Sequence, residues 1–467
     1  MHQALQFHPS RAHTPDVGAL VHAGRVHSAA FTDSGVFDLE IERIFHGTWL
    51  YIGHTSEVPQ HGDYRTRRMG RQPVLMMRGG DGVVRVLMNR CRHRGGMVCE
   101  GDGGNAKHLR CWFHGWVYDA AGNLVQVPGV EAYGPDFDQK AMGLAAPPKV
   151  GEYRGFVFAS LNPDVPSLDQ HLGEAKPVID LMVDAAPAGA IRVNAGVHKT
   201  VYSGNWKLVG MDGYHVHYVH ASVIAAWNHN PEAGIAATHR GDPFDDASAS
   251  RTRDLGNGHV MLDLTAHRMS HYGKFSEMLL RTKGGAQYLQ QMQDKHGQER
   301  ARLLVSLAGD PHVGIYPNLQ LINNQIRIIN PLAAGHSEVT MFPVLFEGVS
   351  DEINALRIRQ HESFYGPAGA GSPDDAEIFE RVQGGMMAQV NPWIDISRGM
   401  HREEHAANGV ITGRISDEVT QRGQMRRWRE LMCAPENAQG STGGIAPGGA
   451  HCTGPETAQR PAPEAVQ

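Results

Sequence analysis

The 467-residue chain has few cysteines, no long apolar run and no excess of positive charge. Its five cysteines, an odd and sparse set, do not suit a disulfide framework. No apolar stretch reaches the roughly 18 residues of a membrane-spanning helix, and the N-terminus lacks the apolar core of a signal peptide. A net charge of −6 gives no general attraction to nucleic acid. The sequence therefore predicts a cytoplasmic protein without a membrane or nucleic-acid partner.

Strand patterns dominate the first third of the chain. A short amphipathic helix is expected at 38–50, and hairpin patterns with glycine-containing turns follow at 73–89 and 115–127. One more buried strand is predicted at 153–161. Each Cys/His pair lies at or beside the end of a strand, so these residues indicate a small all-β unit.

From about residue 166 the patterns become mixed. Strands are predicted within 197–208 and 312–332, and helices at 352–366 and 417–432. The last residues, 434–467, contain many Gly and Pro and few large apolar residues, which predicts a disordered tail.

Four candidate metal ligands form two Cys/His pairs. One residue separates Cys91 from His93, two separate Cys111 from His114, and 17 lie between the pairs. Thiolates suit a [2Fe–2S] cluster, and replacing two of them by imidazoles on one iron raises its reduction potential. A structural Cys2His2 zinc site is the competing interpretation, but zinc fingers place both cysteines before both histidines. A third interpretation is that all four are ordinary core and loop residues.

The residues around these pairs, "CRHRGG" at 91–96 and "CWFHGW" at 111–116, resemble the Rieske motif. The resemblance implies that Cys91 and Cys111 hold one iron of a [2Fe–2S] cluster and that His93 and His114 hold the other. Cys99 falls outside the motif and is interpreted as a structural thiol.

A second constellation lies in "NWKLVGMDGYHVHYVH", residues 205–220. Two imidazoles and one carboxylate on one face of an iron leave positions open for O2 and a substrate. On a regular helix His217 and His220 point the same way, whereas His215 and His220 diverge by about 140°. Helix geometry alone would therefore select His217 and His220.

The same stretch resembles Asp-x-x-His-x4-His, the motif of Rieske non-haem iron ring-hydroxylating oxygenase α subunits. This resemblance implies that His215 and His220 bind a mononuclear Fe(2+) on a distorted helix, with His217 as a neighbour. The segment 364–383, "FYGPAGAGSPDDAEIFERVQ", resembles the family segment that supplies the third ligand. It implies Asp375, with Asp374 as the alternative; both could instead be charges at a helix N-terminus.

In the family, the carboxylate that matches Asp212 is catalytic and lies between the mononuclear iron and a Rieske histidine of the adjacent subunit, here His114. The resemblance therefore implies a head-to-tail trimer, either a homotrimer or α3β3 with a small β subunit. Only four residues, "LVGM", separate "NWK" from Asp212, fewer than relatives carry. The shortening leaves the pocket shape, and with it the substrate, open.

The implied fold class is α+β. An all-β Rieske [2Fe–2S] domain is expected at 47–165, followed at 166–433 by a helix-grip catalytic domain, which is an antiparallel sheet with helices. Residues 1–46 are expected to pack with the catalytic domain, and 434–467 to form the tail.

The implied function is the terminal oxygenase of a multicomponent system. NADH-derived electrons would arrive through a reductase, with or without a ferredoxin, and O2 would be used to hydroxylate an aromatic compound. The expected reaction is cis-dihydroxylation. The alternatives are monooxygenation or oxidative demethylation of an aromatic substrate and, from another class, an electron-transfer iron–sulfur protein without oxygenase activity.

The substrate is suggested by "DGYH", residues 212–215, which resembles the benzoate and anthranilate branch and implies an aromatic carboxylate. Arg327, in "IRIINPL", could bind the carboxylate, although a structural role is favoured.

Two further patterns allow two interpretations each. "HREEH" at 401–405 matches an inverted zinc-peptidase pattern, but a charged, solvated helix face is favoured. Arginines flank the Cys/His pairs and form either a solvated face or a docking patch for an acidic electron donor. They are Arg65, Arg67, Arg68, Arg71, Arg90, Arg92 and Arg94.

Overall fold

The computed structural model describes residues 15–212, 249–369 and 371–434. The strands are β1 (Val21–His22), β2 (Arg25–His27), β3 (Leu50–His54), β4 (Asp63–Met69), β5 (Gln72–Arg78), β6 (Val84–Met88), β7 (Gly103–Asn105), β8 (His108–Arg110), β9 (Val117–Asp119), β10 (Leu124–Gln126), β11 (Lys149–Tyr153), β12 (Phe156–Ser160), β13 (Ile191–Arg192), β14 (His198–Tyr202), β15 (Arg251–Asp254), β16 (Val260–Asp263), β17 (Val313–Ile315), β18 (Leu319–Ile322), β19 (Gln325–Ala333), β20 (His336–Pro343), β21 (Leu345–Phe346), β22 (Trp393–Asp395), β23 (Glu404–His405) and β24 (Ile411–Arg414).

The α-helices of the same ranges are α1 (Ala29–Thr32), α2 (Ser34–Glu40), α3 (Leu168–Leu172), α4 (Lys176–Asp184), α5 (Trp206–Asp212), α6 (Thr265–Ser270), α7 (Tyr272–Leu280), α8 (Gly285–His296), α9 (Gln298–Leu307), α10 (Asp351–Tyr365), α11 (Ser372–Gly385) and α12 (Val419–Cys433). Within these ranges, none of the helices combines the length and the hydropathy that crossing a membrane requires.

The first third of the described chain consists of three small antiparallel sheets. Their strand orders are β6-β5-β4-β7, β10-β9-β8 and β11-β12-β3. The predicted hairpins at 73–89 and 115–127 are confirmed, because β5 pairs with β6 and β9 with β10. In the first hairpin, four consecutive buried residues, 74–77, lead into a turn in which the Asp81 side chain accepts from Val83 N at 3.1 Å. The strand predicted at 153–161 is also confirmed, as β12.

The second half of the chain builds a nine-stranded antiparallel sheet in the order β14-β20-β19-β18-β17-β16-β15-β24-β23. Its long central strands, β19 and β20, carry near-continuous buried residues because helices cover the sheet. The fold is therefore α+β, with an all-β unit followed by an antiparallel sheet with helices, as the sequence predicts.

Helix α5 begins earlier than the strand pattern at 197–208 suggests. The strand ends at Tyr202, and Asn205 caps the helix because its Oδ1 accepts from Lys207 N at 3.0 Å. The helices predicted at 352–366 and 417–432 are confirmed as α10 and α12.

Helix α5 is fixed at its start by a fully buried carboxylate of the N-terminal segment, Glu40. Trp206 Nε1 donates to Glu40 at 2.8 Å, Trp428 Nε1 donates to it at 2.6 Å, and Lys207 forms an ion pair with it. These contacts join α2, α5 and α12. Because removing one partner of a buried ion pair leaves an uncompensated charge, loss of Glu40 or Lys207 would destabilise this junction.

Two sequence predictions differ from the structure. The helix expected at 38–50 begins earlier: α2 starts at Ser34 and continues as a π-helical turn over Ile41–Phe45. The expected helix face at 401–405 is wrong. Met400–Arg402 is a 3-10 turn, and the next residues pair in β23 with β24, so the two histidines do not share a helix face. The tail at 435–467 lies outside the described residues, and the domain boundaries stay predictions.

Candidate metal centres

The two Cys/His pairs lie on two loops with the same backbone geometry. The Cys91 backbone N–H donates to Gly96 O at 2.8 Å, and the Cys91 carbonyl accepts from Gly95 N at 3.0 Å. In the second loop, Cys111 N donates to Trp116 O at 2.8 Å and its carbonyl accepts Gly115 N at 3.0 Å. Gly95 and Gly115 have φ of 76° and 74°, a region that favours glycine. This explains why a glycine follows each histidine in the motif.

The two thiols face each other inside a small core. Cys91 and Cys111 are 2% and 3% exposed and pack with Trp116 and Tyr118. Burial raises the pKa of the Cys111 thiol, and the adjacent Cys91 thiol raises it further. Two buried thiols in contact fit a site whose positive metal keeps both sulfurs deprotonated.

The two imidazoles lie together near the loop tips. The ring centroids of His93 and His114 are 4.5 Å apart, and the His93 ring stacks on Trp116 at 4.9 Å. His93 Nδ1 is buried and has no hydrogen-bond partner among the described residues. A buried ring nitrogen without a partner forgoes a hydrogen bond, and binding a metal ion would compensate for that loss.

A single zinc ion does not fit this arrangement. Bond lengths to tetrahedral zinc place its donor atoms about 3.3–3.8 Å apart. Within the described part of the chain, the one group of three His, Cys or acidic ligand atoms within 4.8 Å of one another is His198, His361 and Glu362. The two Cys/His pairs do not form such a group. Sulfurs at one end and imidazoles at the other suit a two-iron cluster instead.

Tyr118 is a buried hydrogen-bond donor to the candidate ligand Cys91. Its hydroxyl lies 3.2 Å from Cys91 Sγ, and it accepts Arg92 N at 3.0 Å, which leaves its own proton free to point at the sulfur. Hydrogen bonds to cluster sulfurs stabilise the more negative reduced state. We therefore expect Tyr118→Phe to lower the reduction potential of the cluster by about 50 mV, close to a tenfold change for one electron. A redox titration of the visible spectrum measures this shift.

Tyr64→Phe is the matched control, because Tyr64 is hydrogen-bonded to Cys99, which is outside the motif. Its potential should equal that of the unmodified protein. Equal potentials in both variants would show that the Tyr118 hydroxyl does not act on the cluster.

Large apolar side chains surround the imidazole end of the site. Trp112 is 87% exposed and Phe113 63% exposed, and Met97 lies on the same loops. Exposed apolar groups of this size, clustered at one point, are typical of a surface that another protein covers.

The arginines near the site divide into two groups. Arg67 turns inward, pairs with the buried Glu57 and donates to Ile52 O at 3.0 Å, while Arg71 pairs with Asp38. Arg67 and Arg71 are therefore engaged in ion pairs, whereas Arg68 of the same run is exposed. The arginines beside the first Cys/His pair are also exposed: Arg90, Arg92 and Arg94. A docking patch for an acidic donor stays a prediction.

The predicted mononuclear site is described only in part. Helix α5 ends at Asp212, whose side chain lies outside the described residues, as do His215, His217 and His220. The choice between His215 and His217 therefore stays a prediction.

The predicted third ligand lies in the described part of the chain. Asp374 and Asp375 occupy the first turn of α11, which begins at Ser372. Burial raises the pKa of the Tyr365 hydroxyl, Arg327 lowers it, and the Asp310 and Asp375 carboxylates raise it, so Asp375 lies within electrostatic range of Tyr365.

Several residues of this framework carry no local sequence signal. Glu40 acts on residues more than 160 positions away, and Tyr118 reaches the first loop from a strand of the second hairpin. Strand register, which a single sequence does not give, is the information that would have identified them.

Two family models match successive parts of the chain. A model of the Rieske [2Fe-2S] domain matches residues 48–146, and a model of the ring-hydroxylating alpha subunit catalytic domain matches residues 185–432.

Curated relatives match most of the chain. The large subunit of anthranilate 1,2-dioxygenase from Acinetobacter baylyi is 34% identical over 432 residues, 87% of this chain and 89% of the relative. The alpha subunit of toluate 1,2-dioxygenase from Pseudomonas putida is 34% identical over 79% of this chain and 80% of its own. The large subunit of 2-halobenzoate 1,2-dioxygenase from Burkholderia cepacia is 33% identical, with 79% and 78% covered.

Solved structures share the fold. Naphthalene 1,2-dioxygenase with indole in the active site matches with a TM-score of 0.74 at 23% identity, over 89% of this chain and 95% of the other. Naphthalene 1,2-dioxygenase from Rhodococcus sp. matches with a TM-score of 0.71 at 26% identity, over 87% and 94%.

Proposed function

This chain belongs to the Rieske non-haem iron ring-hydroxylating oxygenases as an α subunit, and on that premise we propose that it is the terminal oxygenase of an NADH-dependent multicomponent system. The proposed reaction is cis-dihydroxylation of an aromatic carboxylate with O2. One observation carries the proposal: two matched Cys/His loops, suited to a [2Fe–2S] cluster, precede a sheet beside which α5 ends at Asp212 and α11 carries the candidate iron ligand Asp375.

The proposed ligands follow the motif. Cys91, His93, Cys111 and His114 hold the [2Fe–2S] cluster, within a domain proposed to span 47–165. When bound, the cluster supplies single electrons and the mononuclear iron activates O2.

The second proposed site has the ligands His215, His220 and Asp375, within a catalytic domain at 166–433. Glu40 fixes the start of α5 and thereby the position of Asp212 at its end. Asp375 lies in the first turn of α11, which begins at Ser372 and has Pro373 in its first two positions.

The proposed assembly is a head-to-tail trimer, either alone or as α3β3 with a β subunit. In it, Asp212 would contact His114 of the adjacent subunit and hold one imidazole of each metal site. The exposed Trp112 and Phe113 beside His114 support this arrangement, because a neighbouring subunit would cover them. Electrons would come from a reductase, with or without a ferredoxin.

The proposed substrate class rests on the relatives. Anthranilate, toluate and 2-halobenzoate, which their names specify, are all aromatic carboxylates. Relatives named for benzene, biphenyl and chlorobenzene are 30–31% identical, against 33–34% for the carboxylate group. Monooxygenation or oxidative demethylation is the second candidate reaction, since the same ligand set supports it.

The test is a substrate screen with a reconstituted donor chain. NADH-driven O2 uptake should depend on an aromatic acid, and product analysis should find a cis-dihydrodiol carboxylic acid. Uptake that ignores every aromatic compound tried, in a protein with its full sulfide content, would favour an electron-transfer protein instead. A hydroxylated or demethylated product without a diol would favour the monooxygenase reaction.

A further inference from the structure

A row of four cross-strand neighbours crosses the nine-stranded sheet. Gln320 on β18 pairs with Arg327 on β19, Arg327 pairs with Met341 on β20, and Met341 pairs with His198 on β14. Directly paired residues of antiparallel strands project from the same face of the sheet. The four side chains therefore lie side by side, with Arg327 inside the row.

The helix that ends at Asp212 and the helix that carries the candidate iron ligand Asp375 touch this row on either side of Arg327. Gln320 Nε2 donates to the carbonyl of Val209 in α5 at 2.8 Å, one turn before Asp212. On the other side, Ser372 Oγ at the start of α11 lies 3.9 Å from Met341 Sδ, one turn before Asp375. Arg327 thus lies on the sheet between the end of α5 and the start of α11.

Arg327 is a buried cation without an ion pair to any residue that the structure describes. Its side chain is 6% exposed and stacks on Tyr365, with Cζ 4.9 Å from the ring centroid. With its amide turned so that the oxygen faces the guanidinium, Gln325 accepts from Nε and Nη2 at 3.0 Å each. Three of the five N–H groups of the guanidinium remain. A buried charge is costly unless an opposite charge accompanies it.

The carboxylates around Arg327 have other partners. Asp310 pairs with Arg268, and Glu362 accepts from His198 Nε2 at 2.8 Å. Asp375 is the candidate iron ligand. Asp310 and Glu362 are therefore engaged elsewhere rather than with Arg327.

A second unsatisfied group lies next to the row. His361 of α10 is fully buried, stacks on His198 at 5.3 Å, and has no hydrogen-bond partner on either ring nitrogen among the described residues. Burial lowers the pKa of His361 to about 4, and His198 and Arg327 lower it too. The ring is therefore neutral at pH 7 and has one N–H to donate.

We propose that Arg327 binds the carboxylate of the aromatic substrate and so determines the specificity of the oxygenase, an inference that rests on the proposed function. A guanidinium presents a planar pair of N–H groups that matches a carboxylate, and the bound anion would compensate the buried charge. The His361 N–H is a second donor on the same side. Tyr365, which covers Arg327, is the last residue of α10, and Gly371 N, just before α11, donates to the Phe364 carbonyl at 2.9 Å, so the anion site adjoins the iron-ligand segment. The sequence alone favours a structural role for Arg327, but the buried charge without an ion pair among the described residues favours binding of an anion.

The test measures benzoate binding to the anaerobic holoenzyme by calorimetry. Arg327→Met should weaken benzoate binding about 10- to 100-fold, the range for loss of charge-assisted hydrogen bonds. Arg327→Lys keeps the positive charge but loses the planar pair of N–H groups. It should therefore bind benzoate more tightly than Arg327→Met and less tightly than the unmodified protein. In turnover, the KM for benzoate should rise while kcat stays within about threefold, because the contact is equal in the ground and transition states.

Arg357→Gln is the control for loss of a buried arginine. Arg357 is 5% exposed, stacks on Phe346 at 3.6 Å and donates to Val344 O at 2.9 Å. It should lower thermal stability but leave benzoate affinity within about threefold, the ordinary scatter of such comparisons.

The possible outcomes separate this inference from the proposed function. Unchanged benzoate affinity in Arg327→Met, or failure of both Arg327 variants to fold with a cluster, would make Arg327 structural and overturn the inference. A protein that oxidises toluene or biphenyl but binds neither benzoate, anthranilate, 4-toluate nor 2-chlorobenzoate would overturn it while leaving the oxygenase intact. NADH-driven O2 uptake that does not depend on any aromatic compound would instead contradict the proposed function.

Discussion

Replacing Cys111 by serine is expected to abolish the [2Fe–2S] cluster and with it all oxygenase turnover. The Cys111 thiol is 3% exposed and adjoins the Cys91 thiol, so it lies where a cluster ligand of the first loop also points. A serine oxygen is shorter and harder than a thiolate, which iron–sulfur clusters require. Acid-labile sulfide should fall from about two per chain to near zero, together with the visible absorption. NADH-driven O2 uptake should fall to background.

Cys99→Ser is the matched control in the same small core. Cys99 is 7% exposed and is hydrogen-bonded to Tyr64, and burial raises its pKa to about 11, so it remains a neutral thiol at pH 7. The variant should keep its sulfide and its colour. Loss of sulfide in Cys99→Ser, with retention in Cys111→Ser, would show that the motif has been assigned to the wrong thiol.

The cluster loops were predictable because their information is local. Each loop is a short segment at the end of a hairpin, its histidine and glycine follow the cysteine within four residues, and the loop hydrogen bonds close inside the same segment. Hairpin patterns and the two Cys/His spacings therefore suffice to place all four side chains in one small unit. The donor to Cys91 was not predictable, because Tyr118 belongs to the other hairpin.

The surroundings of the second site depend on contacts between distant segments. The neighbours of Arg327, Gln320 and Met341, are set by the strand register. Register can be assigned only when both neighbouring strands are known. At 401–405, by contrast, the local sequence pattern is misleading. Its histidine spacing suggests a helix, but pairing of β23 with β24 determines its conformation.

Replacing Asp375 by asparagine is expected to remove the mononuclear iron while leaving the cluster in place. Asp375 lies in the first turn of α11, on the segment that contacts the Arg327 row. An amide oxygen carries no charge, so the change keeps the shape of the side chain but weakens its affinity for Fe(2+). Iron should fall from about three to about two atoms per chain, with sulfide unchanged at about two. O2 uptake with an aromatic acid should fall to background although the visible spectrum persists.

Asp374→Asn separates ligation from the effect of charge at the helix terminus. Both acids lie in the first turn of α11, so each variant should lose a similar helix-dipole contribution of about 0.3–1 kcal/mol and show a similar small decrease in thermal stability. Only Asp375→Asn should lose the third iron, because the resemblance of 364–383 to the family segment places the ligand at Asp375. If Asp374→Asn lost the iron and Asp375→Asn retained it, the ligand would be Asp374. If both retained it, the third ligand would lie outside this helix, and the resemblance of 364–383 to the family segment would not extend to its carboxylates.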